Sequence, residues 1–200
     1  NEQSLRMVEV LERHGDHQGL NLTTVVRDGI VGHTGATIPV TLEGQIIRIV
    51  DRIAYLCHDF DDAQRAGMLT AEALPFEVRE HFGMTPSSMI TAMVEDMVRE
   101  SLDKPAISMS ADVEMTMNLF RQFMFKHVYL APALIPDRKK ASHVVKNLFT
   151  HFMEHPDDME GCESTREFYS TRDVVDYVAG LTDQYAIKLF KQYYIPNITL

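Results

Sequence analysis

Apolar residues recur along this chain at intervals of three and four, the period of an amphipathic helix, and strand-like alternation never lasts more than a few residues. Leu5, Val8 and Leu11 predict a helix from Asn1 to about Arg13, followed by a short Gly-containing link. A second helix is predicted over Leu22–Val31, and His33–Pro39, with Gly35, reads as a loop. A long helix follows over Leu42–Ala66, stopped by Gly67. Shorter apolar periods predict helices over Pro75–Phe82, from Pro86 to about Leu102 behind a Thr85 cap, and from Ser110 to about Leu130. Two more are expected over Asp137–Glu154 and, capped by Ser170 or Thr171, over Asp173–Tyr194. The polar stretch His155–Thr165 between them reads as a loop. The fold class expected is all-α, a bundle of about eight helices.

Composition narrows the class without naming a function. The 200 residues, 45% hydrophobic and 24% charged, suffice for a globular core, and ten Gly and eight Pro give no fibrous or low-complexity bias. No apolar run approaches the ~20 residues of a membrane span, so no membrane partner is expected. With 29 acidic against 19 basic residues the net charge is −10, which argues against a general grip on nucleic acid. A phosphorylated small molecule stays compatible, because local cations or a metal can hold it. Two cysteines 105 positions apart, Cys57 and Cys162, make neither a disulfide framework nor a zinc ribbon, and predict a reducing, cytoplasmic setting. The chain opens on Asn1, without an initiator Met or a signal-peptide pattern.

The helix over Leu42–Ala66 is the richest in chemistry. At 100° per residue Ile46, Ile49, Ile53, Leu56 and Phe60 share one stripe, while Asp51, Tyr55, His58 and Asp62 share the opposite one, flanked by Arg48, Arg52 and Asp59. Carboxylate is a hard metal ligand and guanidinium matches phosphate oxygens. A solvated polar face produces the same pattern. The adjacent His58-Asp59 points 100° apart on a helix and has no evident upstream and downstream partners, so it reads as a poor metal dyad. His151 and His155 have zinc-compatible i, i+4 spacing, but Pro156 ends the helix there and a surface pair is the simpler reading. Arg138-Lys139-Lys140 reads as a solvated helix end or an anion contact at an oligomer interface. Phe120, Phe123, Met124 and Phe125, interleaved with Arg121 and Lys126, sit at core spacing. No Gly-rich phosphate loop, GxSxG elbow or CxxC occurs, which leaves nucleophilic catalysis by Ser or Cys unsupported.

Four strings then gain meaning together: NEQSLRMVE from Asn1, GLNLTTVVRDGI from Gly19, LEGQI…VDRIAYLCHDFDDAQRAG from Leu42, and VDYVAGLTDQYA from Val175. In this order they resemble the deoxyguanosinetriphosphate triphosphohydrolase-like family, a branch of the HD-domain phosphohydrolases. The resemblance implies an HD-domain-like helical bundle, with residues 1–68 the C-terminal part of the catalytic core and 69–200 a phosphohydrolase-associated helical region. It implies that Asp51 matches the last ligand of a divalent metal, Mg or Mn. By the same match Arg52 faces substrate phosphates, Tyr55 lines the triphosphate and sugar site, and Asp59 bonds the sugar 3′-hydroxyl. Asp176, Tyr177 and Asp183 match a late signature of structural or pocket-lining residues. The family's other metal ligands, a His and a His-Asp pair, lie upstream of the NEQSLR string, so the metal site is expected to be incomplete here. The function implied is part of a metal-dependent hydrolase that converts a deoxynucleoside triphosphate to deoxynucleoside and triphosphate, as a homo-oligomer. These 200 residues alone are expected to be inactive. The rival readings are a non-catalytic oligomerisation or regulatory module, and a self-contained metalloenzyme built on His33, His58 and Asp59.

Overall fold

The computed structural model describes residues 1–159 and 169–196. Six of the nine α-helices described start where a Ser or Thr hydroxyl accepts one of the first free backbone N–H groups. Helix α1 (Glu2–Arg6) runs on as a π-helical turn over Met7–Leu11, and α2 (Thr24–Gly32) is capped by Thr23. Helix α3 (Leu42–Arg65) is capped by Thr41, and α4 (Phe76–Phe82) ends at Gly83. Thr85 and Ser88 form a reciprocal capping box for α5 (Pro86–Ser101). Ser110 caps α6 (Ala111–Met124), which passes into a π-helical turn over Phe125–Tyr129. Helix α7 (Ile135–Glu154) is followed by α8 (Thr171–Gly180), boxed by Ser170 and Asp173, and by α9 (Asp183–Tyr194). The protein is all-α, as its periodicity predicts.

Two local departures have physical causes. The Gly-containing link is a small hairpin, in which β1 (Arg13–His14) pairs antiparallel with β2 (His17–Gln18) around Gly15, at φ 61°. The single helix expected over Asp173–Tyr194 is two, because Leu181 turns extended and the Thr182 hydroxyl accepts the Tyr185 N–H, restarting the helix. Cys162, and the expected loop from residue 160 to Thr165, lie outside the described residues. No helix among the described residues is long and apolar enough to cross a membrane.

The chain forms two compact units, residues 1–131 and 132–200. In the first, Ile53, Leu56 and Phe60 of α3 are buried against Val78 and Phe82 of α4, Met89 and Met93 of α5, and Phe120 and Met124 of α6. Phe60 and Phe120 meet edge to face, 5.8 Å between centroids, and set α3 against α6. Buried Asp96 of α5 accepts the Ser110 N–H at 2.8 Å and pairs with Arg99, fixing where α6 begins. Of the apolar stripe expected on α3, Ile53, Leu56 and Phe60 are buried and Ile49 packs against the core, but Ile46 is 37% exposed, since its turn lies beyond the core beside α2. The second unit packs α8 and α9 on α7 through Leu148, Phe152, Val174 and Leu189.

Candidate functional site

The site begins with two glycines and a proline. Gly32 ends α2 and Gly44 lies in the first turn of α3; a Cβ on either would come within 3 Å of the Pro39 ring, so this close approach needs glycine on both sides. The loop between the two helices is thereby pulled against α3. Arg48 then fastens it, donating to the carbonyl oxygens of Gly32 at 2.7 Å, Gly35 at 2.5 Å and Thr37 at 3.0 Å. Arg48, expected to flank the chemical face, is thus committed to the loop.

One turn further along α3, Asp51, Arg52 and Tyr55 line a cavity of about 280 Å³. His33, Thr34 and Gly35 of the fastened loop form one wall, and Met117, Asn118 and Arg121 of α6 form another. The cavity exists because the Phe60–Phe120 contact lays α6 along α3 with its polar residues facing the helix's polar stripe. Asp51, Arg52 and Arg121 make no ion pair among the described residues. Arg121 is steadied by the Phe125 ring, 5.2 Å from its guanidinium carbon. A carboxylate and two guanidiniums left unpaired around a small cavity are what a polyphosphate with an associated cation requires.

Asp59 lies a further turn along α3, outside the lining of that cavity, where it accepts the Tyr129 hydroxyl at 2.5 Å. Burial, that bond and the charges of Asp59 and neighbouring Tyr55 push the Tyr129 phenol far above the ordinary tyrosine range. Asp59 and Tyr129 therefore form one hydrogen-bonded pair, one helical turn along α3 from Tyr55. His58 is exposed on another face of α3. Among the described residues no group of three or more His, Cys, Asp or Glu is placed to hold a metal, so His33, His58 and Asp59 do not form a site together, and none gathers around Asp51.

The later residues belong to the second unit. Asp176 is buried and pairs with Arg172 at 3.2 Å, Tyr177 packs edge-on to Phe152 at 4.9 Å, and Asp183 stands exposed in the first turn of α9. His151 stacks on Tyr193, centroids 3.9 Å apart, and bonds Asp158 at 2.8 Å, and its ring lies 5.1 Å from that of His155. In the basic triplet, Lys140 pairs with Asp137 at 2.9 Å in the first turns of α7. Sequence reasoning places His33 in a rival metal site and Arg121 among core-spaced residues, and it does not raise Tyr129.

Residues 107–192 match the phosphohydrolase-associated domain. Over 98% of its length the chain is 40% identical to a deoxyguanosinetriphosphate triphosphohydrolase-like protein of Caldanaerobacter subterraneus subsp. tengcongensis, covering 58% of that protein. A protein of the same name from Clostridium perfringens is 36% identical across the whole chain, with 61% of the relative covered. A third, from Desulfatibacillum aliphaticivorans, is 32% identical over 98% of the chain, again with 61% covered. The chain thus spans about three fifths of the length of these relatives.

Proposed function

Over the stretch it shares with them, the chain belongs to the deoxyguanosinetriphosphate triphosphohydrolase-like family, and from that premise we propose that it carries the polyphosphate-binding part of a metal-dependent deoxynucleoside triphosphate triphosphohydrolase. The observation that supports this most is the convergence of unpaired Asp51, Arg52 and Arg121 with Tyr55 on one cavity. At about 280 Å³ it falls just below the range of ligand pockets, roughly 300–1,000 Å³, and suits a triphosphate better than a whole nucleotide.

In this reading Arg52 and Arg121 grip phosphate oxygens from α3 and α6, and offset charge that develops as water displaces the deoxynucleoside from the α-phosphorus. Tyr55 bounds the cavity towards Asp59 and Tyr129, where the sugar is held. A divalent ion, Mg or Mn, supplies Lewis acidity when bound, with Asp51 as one of its ligands. The described residues provide no full ligand set, and in this reading the remaining ligands would come from the part of the relatives' length that this chain does not match.

Isothermal titration with dGTP tests the reading. The chain is expected to bind dGTP without hydrolysing it, and Arg52→Ala and Arg121→Ala are each expected to weaken binding at least tenfold, in line with ~1.5–3 kcal/mol for a charge-assisted bond. No detectable binding to the folded chain would favour the rival reading, a helical oligomerisation or regulatory module. Triphosphate release by the isolated chain, abolished by Asp51→Ala, would overturn the proposed division of the metal site.

A further inference from the structure

His33 lines the cavity but has no part in the roles above. It closes the C-terminal end of α2, with its Nδ1 2.6 Å from the Ile30 carbonyl oxygen. A carbonyl oxygen only accepts, so Nδ1 carries the ring hydrogen and the neutral ring keeps its lone pair on Nε2. No described residue bonds that nitrogen. The imidazole therefore has one nitrogen fixed by its own helix and the other unclaimed.

What holds the segment after it is Arg48. The carbonyls it binds, those of Gly32, Gly35 and Thr37, bracket His33, Thr34 and Gly35, the three loop residues of the cavity wall. Only a guanidinium offers enough donors in one rigid plane to reach three carbonyls at once, and an ammonium cannot reproduce that fork. Gly35, at φ 88°, supplies the left-handed turn that brings its carbonyl round to the guanidinium. The wall is thus preorganised rather than loose, which is how a binding group is held to useful precision.

Arg52 and Arg121 already provide donors for anionic oxygens. His33 adds the complementary capacity, a neutral acceptor. We propose that His33 contacts the ligand of this cavity, its Nε2 accepting a hydrogen bond from an O–H group, and that Arg48 is the positioning residue that fixes it there. The inference rests on the polyphosphate reading given above. The O–H group is either a water held on the polyphosphate or the one nucleoside hydroxyl, the 3′-OH, which in that case gives its hydrogen to His33 in place of Asp59.

The test is the two-bond 1H–15N spectrum of the histidine rings in the 15N-labelled chain, with the side-chain Nε–H signals of Arg52 and Arg121 reporting binding. His33 is expected in the Nδ1–H form before any ligand is added. If dGTP shifts Nε2 and inorganic triphosphate does not, the contact is a nucleoside hydroxyl; if both shift it, the contact is a polyphosphate-held water. Arginine signals that move while His33 stays still would overturn this inference and leave the polyphosphate reading intact. Arginine signals unmoved by millimolar dGTP would defeat that reading, and this inference with it. Arg48→Gln and Arg48→Lys are expected to keep the Nδ1–H form that Ile30 sets, to lose the ligand-induced Nε2 shift and to bind dGTP about tenfold more weakly. A ligand-induced Nε2 shift unchanged in those variants would remove the positioning role. Should they not fold, His33→Gln still decides the contact, with affinity reduced several-fold expected and an unchanged affinity overturning it.

Discussion

Tyr129 and Cys57 hold their protons more tightly in the folded first unit, which bears on its stability at alkaline pH. Burial, the bond to Asp59 and the charges of Asp59 and Tyr55 raise the Tyr129 phenol, and burial alone pushes the Cys57 thiol up to about 12. Both groups hold their protons more tightly folded than unfolded, so the folded state binds more protons once the unfolded values, about 8.5 for Cys and 10 for Tyr, are passed. Stability is therefore complete below those values and is lost as pH rises through the folded ones. Urea midpoints are expected to fall from about pH 9 upward, with Cys57→Ala flattening the fall from its start and Tyr129→Phe flattening the part above about pH 10. At neutral pH Tyr129→Phe is expected to cost ~1–3 kcal/mol, because half-buried Asp59 loses its donor. In a Cys162→Ser background, Cys57, fully buried, should react with an aromatic disulfide reagent only as fast as the unit opens.

Between elements, the α2–α3 junction is the sensitive point. Its Gly44 Cα faces Pro39 so closely that an added Cβ would meet the ring at 2.6 Å, whereas a Cβ on Gly180 would meet nothing within 4 Å. Gly44→Ala is expected to destabilise by ~1–3 kcal/mol and to loosen the loop held by Arg48, while Gly180→Ala should be neutral or slightly stabilising, as urea unfolding of the pair will show. Helix starts are governed by their caps. Thr85→Ala removes one half of the α5 capping box and is expected to cost ~1 kcal/mol by the same measurement. The break between α8 and α9 obeys the same rule: the Thr182 cap ends the apolar period that would otherwise have continued.

For the molecule as a whole, two apolar cores matter more than any single helix. Phe120 is fully buried in the first and Phe152 in the second. Truncating either to Ala should cost its own unit ~3–5 kcal/mol through lost burial and the cavity left behind. Native-state amide exchange is the measurement: Phe120→Ala should accelerate exchange in α3–α6, and Phe152→Ala in α7–α9. The net charge of −10 sets no contradiction with a polyanion, since the cavity brings Arg52 and Arg121 together locally, while charges more than about 10 Å away are largely screened at 0.1 M salt.

Much of this was legible in the chain itself, because it depends on neighbours in sequence. Helix periods, the Thr85 and Ser110 caps, the stop at Gly67 and the shared face of Asp51 and Tyr55 all follow from local geometry. The long-range facts were not legible. Arg121 reaches the cavity only because Phe120, its neighbour in the core, packs on Phe60, and Tyr129 meets Asp59 across 70 residues. The sequence alone determined which faces are polar and where helices start and stop, since hydrogen bonding and side-chain burial repeat with the backbone period. Tertiary structure decided which polar side chains meet, which are used up on carbonyls as Arg48 is, and which remain for a ligand, because those outcomes depend on how separate helices pack.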